Sequence, residues 1–499
     1  MALNLTANPD LVITPALPLA AAVLTMVFRK HAGVRDSIPV VGSVLTFLSV
    51  LKLMPSVLQG AVPCSMLCTL YPGISLSFCL DGIGLLFAGT ASLLWVVASF
   101  YCIGYMRALQ EHAQTRFYVC YAVAVAGAMG VAFAGNLFTL YVFYEIVTIF
   151  TYPLVAHHQD GAAYSGGRKY LVYLMVASKA LLLPALAIIY VQCGTLDFNF
   201  RNISSGIFPG GANAGLVRAA YFLCLFGFAK AAIIPIHSWL PSAMVAPTPV
   251  SALLHAVVVV KVGVFSICRM MLSVFGTQLL ARLDLGTATA WIASFTIITA
   301  SLVALVKTDL KARLAYSTVS QLSYIVLGVA MLSPAGITGG LIHIANHAFA
   351  KISLFFCAGA IIAATGKNDI RDMGGIGYRM PMTMAAFGIA SLSMIGVPPV
   401  GGFVSKWYLA LGSLDLHSRL LLGVVLASSL LNAVYFGEVF LRAFFDTQQK
   451  GFARETGSLE GTALLRLMVI PTAAAALLSV FWGLYPDLLL AIINRKLGF

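Results

Sequence analysis

Apolar runs of helical length alternate with short polar breaks along almost the whole chain. A bilayer core about 30 Å thick takes about 20 residues of helix to cross, and the runs have that length. They predict fourteen spans, at 9–28, 38–56, 81–105, 117–134, 137–156, 169–191, 215–243, 248–272, 285–305, 316–333, 336–364, 382–412, 419–444 and 463–493. The expected fold is therefore an all-α polytopic membrane protein. The first run reads as a retained span: no Lys or Arg precedes it, and Arg29 and Lys30 follow its apolar part.

Composition sharpens this reading. Of 499 residues, 60% are apolar and 9% are charged, against about 25% charged in ordinary soluble domains. There is too little polar surface to cover soluble domains, and disorder, collagen and coiled coil are excluded by the same numbers. The net charge of +13 invites a nucleic-acid partner, but the positions of the basic residues argue otherwise. With residue 1 outside, the cytoplasmic loops and margins hold seventeen: Arg29, Lys30, Arg35, Arg107, Arg116, Arg168, Lys169, Lys307, Lys311, Arg313, Lys367, Arg371, Arg379, Arg442, Lys450, Arg454 and Arg466. The opposite side holds seven: Arg201, Arg218, Arg269, Arg282, Arg419, Arg495 and Lys496. The positive-inside rule then places both termini outside, and no nucleic acid is needed to explain the charge.

Six lysines remain, at 52, 179, 230, 261, 351 and 406. Lys52 lies near a span end, where its head reaches water. The other five, with Glu145 in LYVFYEIVTIF, lie inside spans. Each ionisable group at the bilayer centre costs about 2.5–3.5 kcal/mol, so the six together represent a liability on the order of 15–20 kcal/mol before pairing. Such groups must face one another, water or polar backbone. A set spread over six spans marks an ion path better than isolated helix-orienting pairs do.

Two spans carry their own interruption. In LFGFAKAAIIPIHSWLP, Pro235 and Pro241 follow Lys230, and in MIGVPPVGGFVSKWYL, Pro398, Pro399, Gly401 and Gly402 precede Lys406. Proline removes a backbone donor and breaks the helix, and broken helices at membrane depth line cavities. The opposite order of lysine and proline in the two halves is what an inverted repeat gives. His237, inside the first break, either leads the path to a surface or bonds a freed carbonyl. Between the breaks, HIANHAFAK places His343, His347 and Lys351 on one helix face. Ile344 stands where a catalytic HExxH metal site has glutamate, so the face reads as a proton relay rather than a metal site, or else as packing. His255 and Lys261 share a further span, six residues apart and not on one face.

Proton transfer needs groups that change charge near working pH. Histidine does so unassisted. A lysine starts at about 10.4 and serves only where burial or neighbouring cations lower that value, while a carboxylate nearby reverses the effect. A close Glu145–Lys230 pair would thus act as a switch, holding the Lys230 proton when paired and releasing it toward Lys261 when not. No P-loop, GxGxxG, CxxC or cysteine–histidine cluster is present, so no cofactor, metal or redox chemistry is expected on this chain. Cys64 and Cys68 share one loop, either paired or idle.

These motifs resemble the antiporter-like membrane subunits shared by Mrp-type sodium/proton antiporters, respiratory complex I and group 4 membrane-bound hydrogenases. The resemblance runs from about Asp81 to about Tyr408, through LDGIGLLF at 80–87, the Glu145 span, the long block 228–261, TDLKARLAYSTVSQLSY at 308–324, NHAFAKISLFFCAGA at 346–360 and GVPPVGGFVSKWYL at 396–409. It implies fourteen helices: N-terminal spans over 1–110, inverted five-helix repeats at 116–272 and 285–444, and a last span within 463–499. It implies a buried hydrophilic axis in which Glu145 pairs with Lys230, Lys261 connects with His255 nearby, His343, His347 and Lys351 continue, and Lys406 ends the line. Lysine at 406 and glutamate at 145 resemble the D-type Mrp protein. Lys179, in VASKALLLP, fits no family position firmly and is either an added relay site or a structural partner for an acidic group. The function expected is proton movement within a hetero-oligomeric antiporter of the bacterial inner membrane, with lipid, other membrane subunits, H+ and Na+ as partners. A redox-driven pump, a non-conducting scaffold and a free-standing solute carrier are the rivals.

Overall fold

The polar breaks become helix caps. Asp81, Asn136, Asp160 and Asp309 each accept the backbone N–H three residues on, at 2.7–3.0 Å, which satisfies donors the first helical turn leaves open. From these caps and others the chain folds, in a computed structural model that describes residues 8–445 and 458–497 (backbone only for 494–497), into helices α1 (Asp10–Val27), α2 (Ala32–Leu58), α3 (Gly82–Ala108), α4 (Gln114–Ala132), α5 (Leu137–Val155), α6 (Gly161–Cys193), α7 (Ala214–Gly227) and α8 (Thr248–Phe275). There follow α9 (Leu285–Val306), α10 (Leu310–Ala330), α11 (Pro334–Thr365), α12 (Pro381–Ile395), α13 (Gly401–Asp415), α14 (Arg419–Phe445), α15 (Ala463–Leu484) and α16 (Asp487–Leu497).

Among the described residues, eleven helices are long and apolar enough to cross a membrane, and α7 and α12 are shorter apolar helices. Burial is unequal. The apolar window of α8 is 100% buried within the molecule, against 33% for α2 and α14. A helix surrounded by other helices is shielded from lipid, and α8 is the one that carries His255, Lys261 and Arg269.

Several boundaries differ from those expected from the sequence. The 215–243 span breaks after Gly227: a short 3-10 turn at Ala229–Ala231 follows, Ala232 takes φ 54°, and helix resumes only for one turn at Trp239–Ser242. The 382–412 span is two helices, separated at Gly396 with φ 90°. The last span ends at Leu484, and α16 is a separate helix beyond Pro486. Helix α10 begins six residues before the expected 316, so Lys311 and Arg313 are buried helix residues rather than loop. Lys311 donates to the Ala246 carbonyl at 2.6 Å, and Arg313 to the Tyr435 carbonyl and the Glu438 carboxylate at 2.8 Å each. Lys52 keeps an exposed head, paired with Asp10 at 2.9 Å. Lys450 and Arg454 lie outside the described residues, as do the side chains of Arg495 and Lys496.

The connection after α2, expected to be loop, is an antiparallel hairpin, β1 (Cys64–Tyr71) and β2 (Ile74–Cys79). Its register sets Cys64 opposite Cys79, and these two form a disulfide. Cys68, the nearer candidate partner in sequence, is a free exposed thiol.

Candidate functional site

The two helix breaks, α8 and α11 bring the intramembrane charges together. At the first break, the Lys230 ammonium donates to the Tyr144 carbonyl at 2.8 Å and the Thr148 hydroxyl at 2.7 Å, both on α5, and lies over the Tyr144 ring. Its backbone N–H donates to the Tyr144 hydroxyl. The Trp239 indole closes the break by donating to the Ala229 carbonyl at 3.0 Å. Helix α8 passes close by: a Cβ on Gly263 would stand 2.2 Å from the Ala231 nitrogen, so only glycine allows this approach.

Glu145 does not pair with Lys230. Its Oε2 binds the Lys179 ammonium at 2.8 Å, and Lys179 also donates to the Tyr141 hydroxyl at 2.6 Å. The reason is geometric. Lys230 reaches the backbone and hydroxyl of α5, while a π-helical turn at Ser178–Leu182 in α6 holds Lys179 across from Glu145. Lys179 is thus the ion-pair partner of the acidic group. Its side chain is 46% exposed, on the flank of the bundle, and Glu145 Oε1 has no hydrogen-bond partner among the described residues.

The central group is tighter. Lys261 Nζ and His347 Nδ1 are 2.6 Å apart, linking α8 to α11, and both are buried. An ammonium only donates, so with Lys261 charged His347 accepts at Nδ1 and carries its hydrogen on Nε2, which has no partner among the described residues. The His343 and His347 rings are 5.9 Å apart. His343 bonds the Gln321 side chain at 3.0 Å and the Ser405 hydroxyl at 2.8 Å. Lys351, on the same face, donates to Ser317. His255 packs on the Phe355 ring, with both ring nitrogens unpartnered among the described residues.

At the second break, Lys406 turns back onto the end of α12. It donates to the Met394 and Ile395 carbonyls at 2.8 and 3.0 Å and to Ser429 at 3.0 Å. The last carbonyls of a helix have no intrahelical donor and carry partial negative charge, so the break is itself the counter-charge that lets a lysine stay there. His237 is half-buried near Tyr316, and its imidazole interacts with the carbonyl of Pro235 inside the break.

Sequence reasoning misses one buried ion pair. Arg269, expected in the outer loops, lies at the end of α8 and grips Asp81 with two hydrogen bonds of 2.7 Å, fully buried beside the Phe198, Phe200 and Phe265 rings. Asp81 is visible in the sequence only as the start of LDGIGLLF; an acid and a base 188 positions apart leave no local signal.

Comparison with known proteins agrees with this architecture. Residues 134–432 match the family described as NADH:quinone oxidoreductase/Mrp antiporter, TM. The chain is 34% identical over 404 residues to NADH-quinone oxidoreductase subunit N of Desulforudis audaxviator (strain MP104C), covering 79% of this chain and 78% of that one. It is 33% identical over 351 residues to the A/B protein of a probable K(+)/H(+) antiporter of Rhizobium meliloti (strain 1021), covering 69% of this chain but 34% of that longer protein. A chain of the Mrp complex from Dietzia sp. DQ12-45-1b superposes with TM-score 0.82 at 22% identity, over 97% of both chains. The chain belongs to the NADH:quinone oxidoreductase/Mrp antiporter membrane family and is an integral membrane protein.

Proposed function

We propose that this chain is a proton-translocating, antiporter-like component of a multi-subunit membrane complex, most like the D-type protein of an Mrp-type cation/proton antiporter. The contact that carries the reading is Lys261–His347, a buried lysine and histidine 2.6 Å apart across two helices. Protons pass along Glu145, Lys230, Lys261, His347, His343 and Lys406, with Lys179 setting the charge state of Glu145. His255 and Lys351 flank the centre, and His237 leads toward the cytoplasmic surface. Steps between groups not in contact run through water or hydroxyls; Ser405 already joins His343 to the segment of Lys406. The two broken segments, Lys230 and Lys406 included, belong to inverted repeats at 116–272 and 285–444.

Both termini face outward across a bacterial inner membrane. A second observation supports this beyond the basic loops: the hairpin with the Cys64–Cys79 disulfide falls on the outer side in that orientation, where disulfides persist.

A second reading, a pump driven by a redox arm, is favoured by the 34% identity to the quinone oxidoreductase relative over most of both chains. Mild-detergent purification from native membranes with mass spectrometry separates the two. Small hydrophobic proteins with a larger paralogue and no cofactor protein support the antiporter. Iron–sulfur, nickel or flavin proteins in the preparation overturn it in favour of the pump.

A further inference from the structure

Two polar connections on the same face of the bundle meet away from the proposed axis. Glu111 and His112 lie between α3 and α4, and His157 and His158 follow α5. One ligand atom each from Glu111, His112 and His157 lies within 4.8 Å of the others. His157 is fully buried, its Nε2 pairs with Glu111 Oε2 at 3.6 Å, and its Nδ1 has no hydrogen-bond partner among the described residues. His158 Nδ1 approaches the same carboxylate oxygen at 3.7 Å. The His112 and His157 rings are 4.8 Å apart, and Arg116 fixes the His157 backbone by donating to its carbonyl at 2.9 Å.

His157 meets the carboxylate only at long range through Nε2, and its buried Nδ1 has given up water without gaining a partner among the described residues. A packing role for His157 does not explain why three more ligand-type side chains gather around it. We propose that Glu111, His112 and His157, with His158 beside them, form a binding site for a divalent transition-metal ion of the zinc class. One carboxylate and neutral imidazoles suit zinc, nickel or cobalt rather than magnesium or calcium, which take oxygen ligands. The edge of a tetrahedral zinc sphere with N and O ligands is about 3.4 Å, so ligand atoms within 4.8 Å of one another must close by up to about 1.4 Å. Glu111 is half-buried and His112 exposed, and these two can move while His157 stays in place. Arg116 and the buried Lys311 are the cations facing the cluster. They are engaged by the His157 and Ala246 carbonyls; their charge opposes a dication, and the Glu111 carboxylate offsets it.

An ion here ties the α3–α4 connection to the end of α5, the helix that presents Tyr144, Glu145 and Thr148. Its influence on transport rests on the function proposed above; its binding does not. The test is calorimetry with Zn2+ alone on the metal-stripped, full-length chain in detergent, with Co2+ absorption as a second readout of ligand type. The expected result is one Zn2+ per chain, with affinity at least about tenfold weaker in His112→Ala and in His157→Ala. His112 is exposed, so its variant keeps the test valid where His157→Ala fails to fold. Absence of Zn2+ binding by the unaltered chain, or unchanged affinity in His112→Ala, overturns the site, whatever the transport assays show.

Discussion

Lys179 and Lys230 both stand beside α5, and one of them neutralises Glu145. The ion pair with Lys179 makes a specific energetic claim: groups in direct contact couple, whereas groups without a shared partner add. A double-mutant cycle on transport rate with Glu145→Gln and Lys179→Gln is expected to show coupling above about 1 kcal/mol, and the cycle with Lys230→Gln less. The reverse order would return Glu145 to Lys230. The Asp81–Arg269 pair makes a second claim. Removing one partner of a buried pair leaves an uncompensated charge and costs about 3–5 kcal/mol. Arg269→Met should therefore lower the yield of folded protein sharply, and the joint change Asp81→Leu with Arg269→Met should recover most of it, read by size-exclusion after heating. The charges themselves are legible in the sequence, because an ionisable residue in an apolar run stands out. Their pairing is not: it depends on a π turn in α6 and on which face of α5 each lysine reaches.

At the scale of elements, the two breaks work because backbone comes within contact distance of backbone. A Cβ on Gly402 would stand 1.7 Å from the Ser393 carbonyl oxygen, and one on Gly263 would meet the Ala231 nitrogen at 2.2 Å. Gly402→Ala and Gly263→Ala are expected to lose folded protein in detergent, while Gly437→Ala, with open space around it, is neutral or slightly stabilising. Equal thermal midpoints for all three would contradict the packing described. The prolines and glycines announce both breaks. What they do not show is how each lysine uses its break: Lys406 caps the helix it follows, and Lys230 crosses to a neighbour. The hairpin escapes sequence reading for a related reason. Its strands Cys64–Tyr71 and Ile74–Cys79 are short, sit between two spans, and are overshadowed by the helical signal on either side.

For the whole molecule, the buried helices α8 and α11 form the centre and the sparsely buried α1, α2 and α14 the flanks. Basic loops and a disulfide each support the proposed orientation. Cys68, free and exposed on the hairpin, should react with a membrane-impermeant maleimide in right-side-out vesicles; labelling only in inverted vesicles would reverse the topology. The central claim is that the buried line conducts protons. Its most direct measurement is proton movement, followed by a pH-sensitive dye, in vesicles holding the assembled complex with Lys261→Ala. Abolished movement with assembly intact is the predicted result, because the Lys261–His347 contact joins the two halves of the line. Full transport by that variant would contradict the account.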